Sequence, residues 1–176
     1  EVAERLQDVG IKAISIHGRT RAQMYKGDAD WTQIAAIKNN PRMYIPVFGN
    51  GDVNSPEKAK EMRDDYGIDG AMIGRASIGN PWFFDQVKHY LNTGQKKEEP
   101  GTSEKAKMAK RHLEMAIKWK GEILGVLETR RHYGNYFKGV PNFKETKSRI
   151  LNEKDPIKIF QELDQVINNF AQKEFV

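Results

Sequence analysis

Cysteine is absent from the 176 residues. Its absence excludes disulfides, thiolate metal ligands and any cysteine chemistry within the chain, and it makes the cytosol the expected home. Histidine is scarce, with four in all and no HExxH-like spacing, so no metal site is expected. Apolar runs near 18 residues are also missing, which argues against a membrane span. The opening residues, EVAERLQDVG, lack both an initiating Met and the basic-then-apolar pattern of a signal peptide. They read as the second half of an amphipathic helix cut open, so a piece of a longer protein is expected. The length suits one ordinary domain, or a domain with a smaller one attached.

Charge is present but unevenly spread. Residues 1–95 carry 12 basic and 12 acidic side chains, whereas residues 105–149 carry 12 basic against 4 acidic. The net charge of +5 therefore arises from the C-terminal part. Such a concentration is the pattern of a region that meets a polyanion, although a solvated helical surface has the same composition.

Along the chain, helical and strand patterns alternate. A helix over Glu1–Val9, with Val2, Leu6 and Val9 at helical spacing, ends at Gly10. A first strand follows at Lys12–Ile16, and Asp30 is placed to cap a helix through Ile37 that Asn39-Asn40-Pro41 stops. The second strand is expected over Tyr44–Phe48. Ser55-Pro56-Glu57 then opens a helix with a cap, a first-turn proline and an early acid. Gly67 ends that helix, the third strand covers Gly70–Ile73, and Asn80-Pro81 introduces a further helix.

Alternation at strand separations of roughly 26 to 32 residues predicts right-handed βαβ units and a parallel sheet. An open doubly wound sheet and a barrel both satisfy it. All three strands carry polar, glycine-bearing tips, which favours the barrel. The expected fold class is therefore α/β, the C-terminal portion of a (β/α)8 TIM barrel (about strands six to eight), followed by an α-helical C-terminal domain. Residues 1–92 form the partial barrel, 93–102 a polar linker and 103–176 the helical domain. Within that domain Ser103 is expected to cap a long helix reaching Leu124, and Asp155-Pro156 to open the last one. Three strands cannot close a barrel, and self-association through the open edge is expected.

The strand tips carry the chemistry. Gly49-Asn50-Gly51-Asp52 and Gly74-Arg75 are arranged to offer backbone N–H groups and one guanidinium to a phosphate or polar ring. His17-Gly18-Arg19 stands at the first tip, where a lone histidine is either a ligand contact or a loop residue bonded to a neighbouring carbonyl.

SIHGRTRAQMYKGDADW, PVFGNGDV and DGAMIGRASIGNPWFF, together with Arg130-Arg131-His132-Tyr133 and Lys138-Gly139-Val140-Pro141, resemble the tRNA-dihydrouridine synthases. The bacterial subtype of the nitrogen-regulation kind is the most similar. The resemblance implies an FMN-holding barrel, with NADPH as reductant and tRNA as substrate. It implies that Asn50, Gly51 and Asp52 hold the flavin, that Gly74 and Arg75 bind its phosphate and that His17 lies against the ring. Arg19 and Arg21 would lie at the pocket mouth, along an RNA backbone. Arg130, Arg131, Lys138, Lys144, Lys147 and Arg149 would grip RNA, with Tyr133 and Tyr136 as stacking groups or as helix core.

The family's general-acid cysteine lies in the upstream half of its barrel. This chain has none, so these residues alone are not expected to catalyse. Two other readings stay open: a dihydroorotate-dehydrogenase-like flavoprotein acting on a small molecule, and a non-catalytic RNA-binding module.

Overall fold

The computed structural model describes residues 1–171. Residues 172–176, the end of the expected helical region, lie outside the described residues. The chain divides into two compact units, Glu1–Ser77 with Trp82–Lys97, and Ile78–Pro81 with the chain from Glu98 onward. No helix among the described residues is long and apolar enough to cross a membrane.

The first unit is an α/β layer. Strands β1 (Ile14–His17), β2 (Val47–Asn50) and β3 (Gly70–Met72) pair in parallel in that order. His17 stands beside Asn50, and Asn50 beside Met72. Parallel neighbours need long crossovers, and these contain helices α2 (Thr32–Lys38) and α3 (Pro56–Tyr66). Helices α1 (Val2–Asp8) and α4 (Phe83–Thr93) complete the unit.

Strand alternation sorts the residues by face. Val47, Trp31, Ile34, Met62, Ile68 and Phe83 form the buried core on the helix-covered side. Ser15, His17, Phe48 and Met72 stand exposed on the other side. The Ser55 hydroxyl accepts from the Lys58 amide at 3.0 Å, as an N-cap should, and Gly67 ends α3 at φ 64°.

Strand β2 runs later than the sequence pattern implies, because Gly49 and Asn50 belong to the ladder itself. A Cβ on Gly49 would lie 2.1 Å from Cζ3 of Trp31. The glycine is there to admit that ring, so packing against Trp31 replaces the expected role of a bare loop tip. Helix α1 also turns differently. Val2 and Val9 are exposed, and the buried face holds Ala3 and Gln7. The Gln7 amide donates to the Arg42 carbonyl at 2.9 Å and accepts from the Tyr44 amide at 2.9 Å. Specific hydrogen bonds hold this helix where an apolar stripe was expected.

The second unit is helical: α5 (Thr102–Lys120), α6 (Glu122–Tyr136), α7 (Lys144–Asn152) and α8 (Pro156–Ala171). Its core includes Ala106, Leu113, Val126, Tyr133, Ile150, Ile159 and Leu163. Helix α5 stops short of Leu124 because Gly121 adopts φ 78°, ψ 167°. At Gly125, a Cβ would sit 2.7 Å from the Ile117 backbone, so α5 and α6 approach closely there. Ser103 does not cap α5. It lies buried in the first turn, and its hydroxyl donates to the Ile167 carbonyl at 3.2 Å. Asp155 does open α8, accepting from the Ile157 amide at 2.9 Å.

Candidate functional site

The C-terminal ends of β1, β2 and β3 open onto a cleft of about 640 Å3, a size that suits a small organic ligand, for which sites run ~300–1,000 Å3. His17, Asn50, Gly51, Asp52, Gly74 and Arg75 all line it. Parallel strands in register bring these three tips to one edge. The expected site residues are therefore neighbours.

Asn50 organises the middle of the edge. Its Nδ2 donates to the Met72 carbonyl at 2.7 Å, so its Oδ1 must serve as the acceptor towards His17 Nδ1, 2.6 Å away. His17 accordingly carries its proton on Nδ1, leaving Nε2 as the chemically available nitrogen.

Asp52 organises the far end. It sits at φ 54°, a left-handed conformation that Asp tolerates better than most residues. Oδ2 accepts from Arg19 Nη2 at 2.5 Å and from the Ala29 amide at 2.8 Å, while Oδ1 accepts from Arg75 Nη2 at 2.9 Å. Burial pushes the carboxyl up, but the bonds from Arg19 and Ala29 and the charges of Arg19 and Arg75 outweigh that effect. The carboxyl is held below the usual carboxylate range and stays ionised at neutral pH. Arg75 is half exposed and lies 4.8 Å from the centre of the Tyr25 ring, a cation–π contact. A side chain at Gly74 would meet nothing within 4 Å, so the backbone there is open to the cleft.

Arg19 departs from its expected role. Its side chain is only 3% exposed and is spent on Asp52 and on the Gly27 carbonyl at 2.6 Å. It closes the loop between β1 and α2 and offers no free edge to an RNA backbone. Arg21, in the same loop, is exposed. Tyr25, Met72 and Asn54 also line the cleft, although the sequence pattern did not single them out. Tyr25 belongs to a stretch without periodicity, and only its contact with Arg75 gives it a place.

In the helical unit the expected RNA-facing residues divide. Arg131, Lys138 and Lys144 are exposed, and Lys147 is half-buried. Arg130 instead donates to the Glu153 carbonyl at 2.8 Å, linking α6 to the end of α7. Arg149 pairs with Glu162 at 3.0 Å. Tyr133 is fully buried and Tyr136 nearly so, the latter hydrogen-bonded to His112 Nδ1 at 3.3 Å. Both tyrosines are core residues and present no face for stacking.

The sequence model of the family described as Dihydrouridine synthase (Dus) matches residues 1–172. The chain belongs to the dihydrouridine synthase family. It is 37% identical over 178 aligned residues to a "Probable tRNA-dihydrouridine synthase" of Rickettsia conorii, covering 99% of this chain and 53% of that protein. It is 41% identical to "tRNA-dihydrouridine synthase B" of Pseudomonas putida, over 84% of this chain and 43% of the relative. The protein of that name from Shewanella oneidensis is 42% identical over 77% of this chain. The chain thus spans about half the length of the curated relatives it matches. The match of the family model continues through the helical unit, so dihydrouridine synthase character is not confined to the strand-tip cleft.

Proposed function

We propose that this chain supplies the last three βα units of a (β/α)8 barrel and the helical module of an FMN-dependent tRNA-dihydrouridine synthase, an oxidoreductase acting on a CH–CH bond. The observation that carries this reading is the convergence of His17, Asn50, Asp52 and Arg75 at one strand edge, in a chain of this family. In this reading residues 1–92 form the flavin-binding part, 93–102 the linker and 103–176 the tRNA-binding part, and the enzyme works in the cytosol on folded tRNA.

The residues fit the cofactor. Arg75 is the half-exposed cation at an open backbone turn, suited to a terminal phosphate. Asp52 aims that guanidinium through one oxygen and is anchored by Arg19 through the other. Asn50 fixes the His17 tautomer, so Nε2 can face a polar ring edge. When bound, FMN supplies hydride chemistry for converting uridine to 5,6-dihydrouridine, with NADPH as the reductant. A proton is also needed at C5, and this chain has no cysteine to give it. The donor therefore belongs to another part of the enzyme, and these 176 residues alone are inactive.

Arg21, Arg131, Lys138, Lys144 and Lys147 are the phosphate-contacting candidates. The exposure of Arg21, Arg131, Lys138 and Lys144, and the basic excess of residues 105–149, support electrostatic grip on a substrate that must also be opened to reach its base. The test is to purify the full-length protein carrying this chain, assay bound flavin, and follow NADPH-dependent loss of uridine in tRNA. A protein that takes up no FMN and leaves tRNA unchanged overturns the reading.

A further inference from the structure

Outside the strand-tip cleft, the helical unit holds a second cavity of about 280 Å3 between α5 and α6. Its walls combine Trp119 and two histidines with Arg131 and the Lys120–Glu128 ion pair. Trp119, 78% exposed, stands on one side, and the rings of His112 and His132 lie 4.8 Å apart. Burial, reinforced by the Lys120 charge, pushes the His112 imidazole below its ordinary value. Burial also lowers His132, with the charges of His112 and Arg131 adding to it. Both imidazoles are therefore neutral, flat rings near neutral pH.

Two polar groups in this cavity lack a partner among the described residues. Thr129 is fully buried and its Oγ1 makes no hydrogen bond, and the buried Nδ1 of His132 makes none either. Both atoms are sealed from solvent, so an occupant of the cavity meets Trp119 and its charged neighbours instead. The cavity also includes the exposed Arg131, within the stretch where basic residues outnumber acidic 12 to 4. An exposed tryptophan over a slot that includes two neutral imidazoles, beside surplus positive charge, suits an unpaired base of an RNA strand better than an apolar protein segment.

We infer that the α5–α6 cavity is a docking site for a single unpaired nucleobase of the RNA substrate, with Trp119 as the stacking face and Arg131 beside it to meet the strand's phosphate. The inference rests on the proposal that the substrate is tRNA, and it adds a base contact to the phosphate contacts named there. The cavity lies in the helical unit, apart from the strand tips proposed to hold the flavin.

The test uses the full-length protein, measuring the tRNA dissociation constant over a series of salt concentrations alongside flavin content. Loss of an aromatic stacking contact with a base weakens binding about five- to 150-fold. Trp119→Ala is expected to weaken tRNA binding within that range, with the salt slope and flavin content unchanged. Trp119→Phe should restore most of the affinity. Lys138→Ala acts differently, lowering the salt slope by about one because a phosphate contact is lost. Trp119 is largely exposed, so its replacement spares the fold.

If Trp119→Ala binds tRNA as tightly as the parent, the docking site is overturned while the tRNA reading stands. If that variant instead loses self-association in sedimentation, with tRNA binding intact, the patch is a protein interface. A parent that binds no tRNA removes both readings.

Discussion

Asp52 holds Arg75 through a single hydrogen bond, Oδ1 to Nη2 at 2.9 Å, while its other oxygen is occupied by the buried Arg19. The division leaves Arg75 oriented but not neutralised from all sides. An exposed guanidinium with spare N–H groups is a phosphate ligand; a buried one bonded to a carboxylate and a carbonyl is a brace. The two arginines on this one carboxylate are one of each kind.

Asp52→Asn separates those roles. Asn tolerates the left-handed backbone at this position, so the change keeps the turn but removes the charge and one of the two acceptor oxygens. It leaves the Arg19 guanidinium buried without its counterion, and breaking such a pair costs about 3 kcal/mol. Thermal or urea unfolding should show a loss of that order. A variant as stable as the parent would mean the pair contributes nothing.

The same carboxylate predicts a pH dependence. Its folded-state value is depressed, so its stabilisation is complete above the ordinary carboxylate value of about 3.9 and is lost as pH falls through the folded value. Unfolding free energy followed downward from pH 5 should fall more steeply in the parent than in Asp52→Asn. Parallel curves would contradict the linkage.

Gly49→Ala tests the packing that shapes β2. The added carbon would lie 2.1 Å from the Trp31 ring. Trp31 is itself pinned by its Nε1 bond to the Gly51 carbonyl at 3.0 Å and by the neighbouring Tyr66 ring. Overpacking of this kind costs about 1–3 kcal/mol or more. The variant should unfold at lower urea and also lose flavin, because Gly51 and Asp52 follow directly.

Tyr133→Phe should behave in the opposite sense. The Tyr133 hydroxyl is buried without a hydrogen-bond partner among the described residues, and burial raises its pKa far above the ordinary phenol value. Removing an unpaired buried hydroxyl returns about 1 kcal/mol of stability. A rise in Tm with unchanged tRNA affinity is expected. A fall in tRNA affinity would return Tyr133 to the RNA surface.

The legible parts of the fold were those set by local chemistry. Ser55-Pro56 opening α3, Gly67 closing it and Asp155 opening α8 are decided by neighbouring atoms, and each could be placed from sequence. Parallel pairing followed from the alternation, and it brought the three strand tips together. What escaped depended on distant partners. Gly49 resembles a turn residue until Trp31, 18 positions away, is seen to need its space. Arg19 resembles a free surface cation until the chain closes around Gly27 and Asp52. The open choice for Tyr133, stacking group or helix core, could have been decided from sequence. Val126, Thr129, Tyr133 and Tyr136 recur at helical spacing, the mark of an inward face.

The most direct test compares FMN with riboflavin, which lacks the phosphate, on the full-length protein and its Arg75→Ala variant. A charge-assisted hydrogen bond is worth about 1.5–3 kcal/mol, and partial exposure puts Arg75 at the lower end, about tenfold in affinity. The parent should bind FMN at least tenfold more tightly than riboflavin. Arg75→Ala should reduce that preference while leaving riboflavin binding unchanged. Equal binding of the two flavins by the parent, or an FMN affinity indifferent to Arg75→Ala, would contradict the assignment of this strand edge as the phosphate end of a flavin site.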